Sequence, residues 1–413
     1  MMLKNKIRLL LFVVGLLAVS VAGCTADAEP PAFDFTSTEN LSDGPNATVP
    51  LQFNNYLGNN ENIHPKVLYF KTPWNGYKFW MAYTPYPLGE TKAENPCIAV
   101  SNDGINWEDV PGLSNPLFDM FEVGYNSDTH LLYREDTGVL ECWWRPHDQV
   151  AHKVYVCRRT TKDGINWTET EKMLESDNNI KSILSPVIMI RDGKYYLYYS
   201  NQTDIVMLTA DITDDKPVWS EPEILPIDKG DLSLWHHDII NYDPDLLEFA
   251  ICAFEPGGSH NTADLYYVTQ NLKTGEFSKP VKILGRSSDK SAFDSRSIYR
   301  ASILRVRGGY MVYYSAIDFS RHRHMALSVG TSPFNLRGYN PVVDDENDIT
   351  EVAERAFFSV NGRNIKNSAS LPFSVWDISG RLIDNSKSGE IEVPGSGMYI
   401  VKGLSDAFKI VVK

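Results

Sequence analysis

A chain of 413 residues that is 43% hydrophobic, 12% aromatic and 22% charged has core material for one large domain and a smaller one, and is not a disordered polymer. Its formal net charge of -14 offers no basic face for a polyanion, which excludes nucleic acid as a partner and leaves a neutral sugar open.

The chain opens with Lys4, Lys6 and Arg8, followed by an apolar run from Leu9 to Ala22, the pattern of an export leader over residues 1-23. The leader ends in Val21-Ala22-Gly23-Cys24, which resembles the bacterial lipobox. That resemblance implies cleavage before Cys24, lipidation of its thiol and a membrane anchor. The chain would then be an outer-membrane or cell-surface lipoprotein, or one facing the periplasm. Asp27 and Glu29 resemble the surface-export signals of Bacteroidetes lipoproteins. Residues 24-50, rich in Pro, Ala, Ser, Thr and acids, read as a tether.

From Asn62 the chain falls into short β-branched and aromatic runs separated by Gly, Asn and Pro, the mark of antiparallel meanders. The first unit runs from Ile63 through the Trp74-Asn75-Gly76 turn and ends at Asp103-Gly104-Ile105-Asn106-Trp107. The same closing turn returns as Asp163-Gly164-Ile165-Asn166-Trp167. Further units start near Asp128, Ser185, His237 and Arg300, about fifty to sixty residues apart. The expected fold is therefore all-β: a five-bladed β-propeller over 51-345, with Leu51 to Tyr56 supplying the strand that closes the ring.

The texture changes after Phe357. Residues 350-413 read as a small C-terminal β-sandwich, in which Asp377-Ile378-Ser379-Gly380-Arg381, Gly397-Met398-Tyr399 and Lys402 resemble the tails of Bacteroidetes secreted proteins related to type IX sorting domains. A purely structural module fits the same residues. Cys97, Cys142, Cys157 and Cys252 all fall inside strands and read as buried thiols. Cys142 and Cys157, on neighbouring strands, are the one pair placed to form a disulfide. No cysteine spacing suggests zinc, and no cofactor signature appears; a structural calcium or other ion in the channel near His237 is left open.

In a propeller the first strands line the channel, and the loops joining second to third strands open on the same face. His64, Asp128, Ser185, His237, Asp238 and Arg300 come to that mouth from strand starts. Glu94, His147, Asp148, Glu255, His260, Asp318, Arg321, His322 and His324 come from loops. Aromatic residues such as Tyr77, Trp80, Tyr83, Tyr86, Trp143, Trp144 and Trp235 lie nearby, mostly as core. Acids, imidazoles and arginine around one mouth suit a carbohydrate partner.

The five units, their DG-x-x-W turns and second strands such as Asp192-Gly193-Lys194-Tyr195-Tyr196 resemble the five-bladed propeller glycosidases of glycoside hydrolase family 43 and its relatives. That resemblance implies an exported glycoside hydrolase acting on a poly- or oligosaccharide. It also implies an Asp base at the start of blade 1, a pKa-tuning Asp at blade 2 and a Glu acid at blade 3. Only Asp128 matches; His64 and Ser185 stand at the other two positions. Glycoside hydrolysis still needs an acid and a base flanking the bond. The residues assigned are Asp128 or Asp238 as base and His237 or Glu255 as acid, with His64, Glu94, Arg300, Asp318 and His322 binding substrate and no catalytic metal. Two alternatives stay open: a non-catalytic glycan-binding lipoprotein, and a polysaccharide lyase using His64, His237, Arg300 and Tyr125.

Overall fold

The computed structural model describes residues 32–118, 123–177, 183–213, 216–342, 358–367, 373–386, 389–402 and 407–412. The leader and Cys24 lie outside the described residues, as does the first part of the tether. The chain divides into two compact units, residues 1–339 and 340–413.

The first unit is built from five sheets, each of four strands paired antiparallel in chain order. Their first strands are Asn62–Trp74, Gly124–Arg134, Leu184–Arg191, Ser233–Ile240 and Ser297–Val306. Each contacts the first strand of the next blade, and the fifth contacts the first, which closes a five-bladed propeller around a central channel. The ring closes without a borrowed strand, contrary to the expectation for Leu51 to Tyr56. All four strands of blade 5 are consecutive in the chain. The leading segment instead packs against that blade through Leu51 N–H to the Met325 carbonyl (2.7 Å) and a single bridge between Leu41 and Tyr339.

The repeated turn has a packing reason. In each copy one aspartate oxygen, Asp103 or Asp163 Oδ1, accepts from the two main-chain N–H groups that follow the glycine. Gly164 has φ +78°, and a Cβ there would lie 2.2 Å from the Trp80 ring of the preceding blade. Gly104, at φ +77°, meets the Tyr313 hydroxyl in the same way. The glycine lets the turn of one blade lie flat on an aromatic of its neighbour. Buried glutamates supply a second inter-blade tie. Glu141 accepts from Tyr195 Oη (3.0 Å), and Glu248 accepts from Tyr310 Oη (2.6 Å).

All four described cysteines are buried free thiols. Cys142 pairs across the ladder with Arg159, and Cys157 with Trp144, so the two sulfurs are diagonal rather than opposed. The second unit has a three-stranded and a four-stranded antiparallel sheet. Ile365 and Ile391 of one sheet share a core with Val375, Val401 and Ile410 of the other, as in a small β-sandwich.

Candidate active site

Every blade carries an irregularity near the start of its first strand. In four blades two residues of that strand stand opposite one residue of the second, between Ile63 and Lys66, Ser127 and His130, Leu184 and Val187, and Leu234 and His237; in the fifth Tyr299 is the extra residue, between Ile298 and Arg300. A bulge breaks the in–out alternation and re-aims the side chains beyond it. Three bulge residues, His64, Asp128 and Ser185, have φ of +57°, +58° and +54°. Left-handed backbone at non-glycine residues is uncommon and clusters at functional sites. Here it recurs around one axis.

The bulges surround a cavity of about 210 Å³ at one end of the channel. His64, Asp128, Trp235, His236 and Tyr299 line it from first strands, with Tyr125 and Ser127 just upstream. Arg145 reaches it from the second strand of blade 2, and Tyr86, Thr91 and Glu94 come from the loop after the second strand of blade 1.

The floor is a cluster of potential ligands. One atom each of His64, Asp128 and His236 lies within 4.8 Å of the other two, and all three residues are buried. Asp128 Oδ1 is 3.2 Å from His64 Nε2, 3.6 Å from His236 Nδ1 and 3.4 Å from Arg300 Nη1. Its Oδ2 accepts from the Ser185 N–H at 3.2 Å. Although His64 Nε2 is close to the carboxylate, neither it nor either nitrogen of His236 makes a hydrogen bond. Ring nitrogens and a carboxylate oxygen that approach without bonding one another are what a shared third centre would require. His64 Nδ1 lies 2.9 Å from Thr84 Oγ1 and accepts from the Asp128 N–H at 3.3 Å, which fixes the ring with Nε2 facing the cluster.

Burial pushes the His64 imidazole down to about 3 and that of His236 well below its ordinary value, so both are neutral near pH 7. Burial also opposes the charge on Asp128. The pull of His64, His236, Arg300 and Arg145 outweighs it and holds the carboxyl below its ordinary range, the two guanidiniums being the groups charged at neutral pH. Glu94 goes the other way: burial, then the neighbouring Asp128 carboxylate, push it well above the usual glutamate value. Glu94 Oε1 is 3.8 Å from His64 Nδ1. Two neutral imidazoles, an ionised carboxylate and a carboxyl of raised proton affinity thus share one small space. That donor set fits a divalent transition ion such as zinc, bound by neutral His and carboxylate, better than calcium, which prefers oxygen alone.

Of the residues assigned from sequence, His64, Asp128 and Glu94 meet in this cavity. His237 does not: the bulge turns His236 into the cavity and leaves His237 among those residues that do not line it, with its N–H on Ser185 Oγ (3.2 Å). Asp238 lies deeper in the channel, held by Lys66 Nζ at 2.7 Å and by the Ile303 N–H at 3.0 Å, so it does not face Asp128 across the mouth. Arg300 sits behind Asp128, with Nη2 on the Thr129 carbonyl (3.0 Å), as a support rather than a substrate contact. Glu255 is exposed on its loop. Asp318 and His322 are tied to His324 and Glu61 outside the cavity. The sequence reading named no metal ligands and missed His236 and Arg145. The doubled histidine of Trp235-His236-His237-Asp238 was the available signal for the first.

No protein-family model matches the chain. In sequence it is 27% identical over 316 residues to an A type blood N-acetyl-alpha-D-galactosamine deacetylase of Flavonifractor plautii, covering 63% of this chain and 41% of that protein. The chain therefore spans about two fifths of the length of this curated relative. In structure it is similar to an N-acetylgalactosamine deacetylase from F. plautii in complex with blood group B trisaccharide. That match has a TM-score of 0.59 and 21% identity over 70% of this chain and 95% of the other. The catalytic domain of a GH62 alpha-L-arabinofuranosidase from Coprinopsis cinerea aligns with a TM-score of 0.49 and 12% identity, over 72% of this chain and 96% of that one. The likeness to the F. plautii structure is one of fold.

Proposed function

We propose that the propeller is a metal-dependent carbohydrate hydrolase that removes the acetyl group from an N-acetylated hexosamine. The observation that carries this reading is the cluster of His64 Nε2, Asp128 Oδ1 and His236 Nδ1 on the cavity floor, three donor atoms facing one another with both imidazoles neutral. The name of the F. plautii relative supplies the substrate class. A cavity of about 210 Å³ lies below the roughly 300–1,000 Å³ of drug-sized sites, which suits a single sugar ring.

His64, Asp128 and His236 would hold the ion, and when bound it supplies Lewis-acid polarisation of an acyl oxygen and a more acidic water. The chain's own residues account for the rest. Arg300 and Arg145 keep Asp128 ionised and in place. Glu94, with its raised carboxyl, is suited to move a proton near neutral pH. In amide hydrolysis, water adds to the acyl carbon and the C–N bond breaks. The proton lost by the water reaches the departing nitrogen by way of Glu94, giving acetate and the free amino sugar.

A second reading, glycoside hydrolysis, draws on one observation. Glu94 and Asp128 share the cavity with carboxyl groups shifted in opposite directions, as an acid and a base would be. Against it, Asp128 Oδ1 is already approached by His64, His236 and Arg300 within 3.6 Å, which leaves little room for a nucleophilic water or an anomeric carbon.

Glycans ending in N-acetylgalactosamine, incubated with the full chain, would be assayed in parallel for acetate and for reducing ends. Acetate without reducing ends supports the deacetylase; reducing ends without acetate would replace it with the glycosidase. The leader, with lipidation at Cys24, would place this activity at an outer-membrane or cell-surface position.

A further inference from the structure

Trp235, which lines the cavity, carries a donor that acyl hydrolysis as set out above does not use. Trp235 and His236 are the two bulge residues of blade 4, standing opposite Cys252. The Trp235 indole is held on several sides. It stacks on His260 (centroids 5.1 Å apart, planes at 21°), packs against Phe254 (6.4 Å) and meets His236 edge-on (5.4 Å, 75°). Its orientation is therefore fixed by packing and not by a bond from its nitrogen. Nε1 is buried and has no hydrogen-bond partner.

That is unusual within this chain. Among the described residues, Trp80, Trp143, Trp144, Trp167, Trp219 and Trp376 each donate Nε1–H to a defined oxygen. Trp107 shares the lack of a partner but lies outside the cavity, whereas Trp235 lines it. An indole N–H can only donate, so what completes it is an acceptor. Leaving such a group buried and unpaired is unfavourable, and a binding site that is completed by one ligand discriminates against a ligand lacking the matching atom.

We infer that Trp235 is a specificity-determining residue whose Nε1–H donates to the acyl oxygen of the substrate's acetamido group. This rests on reading the cavity as an N-deacetylase site. An acyl group that reaches the His64–Asp128–His236 cluster arrives beside residue 235, because residue 236 is itself part of the cluster. An amide oxygen accepts without bringing a proton of its own that would need a further partner, as a sugar hydroxyl would.

The test is a binding measurement on the full chain stripped of metal, so that it does not depend on turnover. Affinities for the methyl glycosides of N-acetylgalactosamine and of galactose are compared by calorimetry. The unaltered protein should prefer the acetamido sugar. Trp235→Phe, which keeps an aromatic ring and removes the N–H, should lower that preference about tenfold, as loss of one buried hydrogen bond does, and leave the galactoside unchanged. On the unaltered protein, a thioacetamido analogue, whose sulfur accepts weakly, should show the same loss, which guards against a variant that fails to fold. Equal weakening of both sugars would mean that Trp235 contacts a hydroxyl or the ring and would overturn the inference. No weakening, or no preference to begin with, would overturn it as well. Failure of the deacetylase reading is distinct: it would appear as no acetate from the unaltered protein, whatever the binding preference.

Discussion

Removing the guanidinium behind Asp128 tests whether charge holds the cavity floor. Arg300 is 1% exposed and Asp128 2%; Nη1 donates to Asp128 Oδ1 at 3.4 Å and Nη2 to the Thr129 carbonyl at 3.0 Å. Arg300→Met leaves the carboxylate buried beside two neutral imidazoles, and breaking a buried pair from one side costs about 3–5 kcal/mol. Asp128→Asn strands the guanidinium in turn. The double variant removes both charges, so its cost should fall short of the sum by about 1–3 kcal/mol. Urea unfolding of the four proteins, with slopes compared as well as midpoints, measures this cycle. The pH dependence has a fixed sign. The Asp128 carboxyl is held below its ordinary value, so it contributes stability above the unfolded value of about 3.9 and loses it as pH falls through the folded value. The Arg300→Met deficit should therefore narrow in acid. Costs that add to within about 0.5 kcal/mol, or a deficit that does not change with pH, would refute the charge argument.

Other consequences can be checked separately. Glu94 carries a raised carboxyl and must be free of its proton to take one from water, so the rate should rise as pH rises through that value; Glu94→Gln should cut kcat by roughly 10²–10⁴-fold and abolish that limb of the pH–rate profile. Gly164→Ala would place a methyl 2.2 Å from the Trp80 ring in a left-handed backbone; its thermal midpoint should fall by more than the few degrees expected of about 1 kcal/mol, and an unchanged midpoint would contradict the turn-packing account. Cys97, Cys142, Cys157 and Cys252 are buried and free, so a thiol reagent should label none of them in the native protein and all four after unfolding without reductant.

How far the sequence could be read is clearest in blade 4. Short β-branched and aromatic runs bounded by turn residues locate its first strand, Ser233–Ile240, and the same logic finds all five blades. Alternation assigns faces, and a bulge shifts that assignment by one residue. Strand-start position alone pointed to His237 and Asp238, whereas the fold turns Trp235 and His236 into the cavity. His64 and Asp128 were legible because each stands at the bulge itself. Glu255, Asp318 and His322 were misplaced for another reason. The reach of a loop depends on its own bonds, such as Glu61 to His322 at 2.9 Å, which have no periodic trace in the chain. Arg300 was located on the right strand, yet only its contacts with Asp128 and Thr129 show that it acts from behind the site.

The central claim is that a divalent ion on His64, Asp128 and His236 is needed to release acetate from an N-acetylated sugar. Its most direct test measures acetate release by the full chain before chelation, after chelation and after adding back zinc, with bound metal counted at each stage. The account predicts about one ion per chain, loss of release when it is removed, recovery when it returns, and neither binding nor release in His236→Ala. Undiminished release from metal-free protein would contradict it.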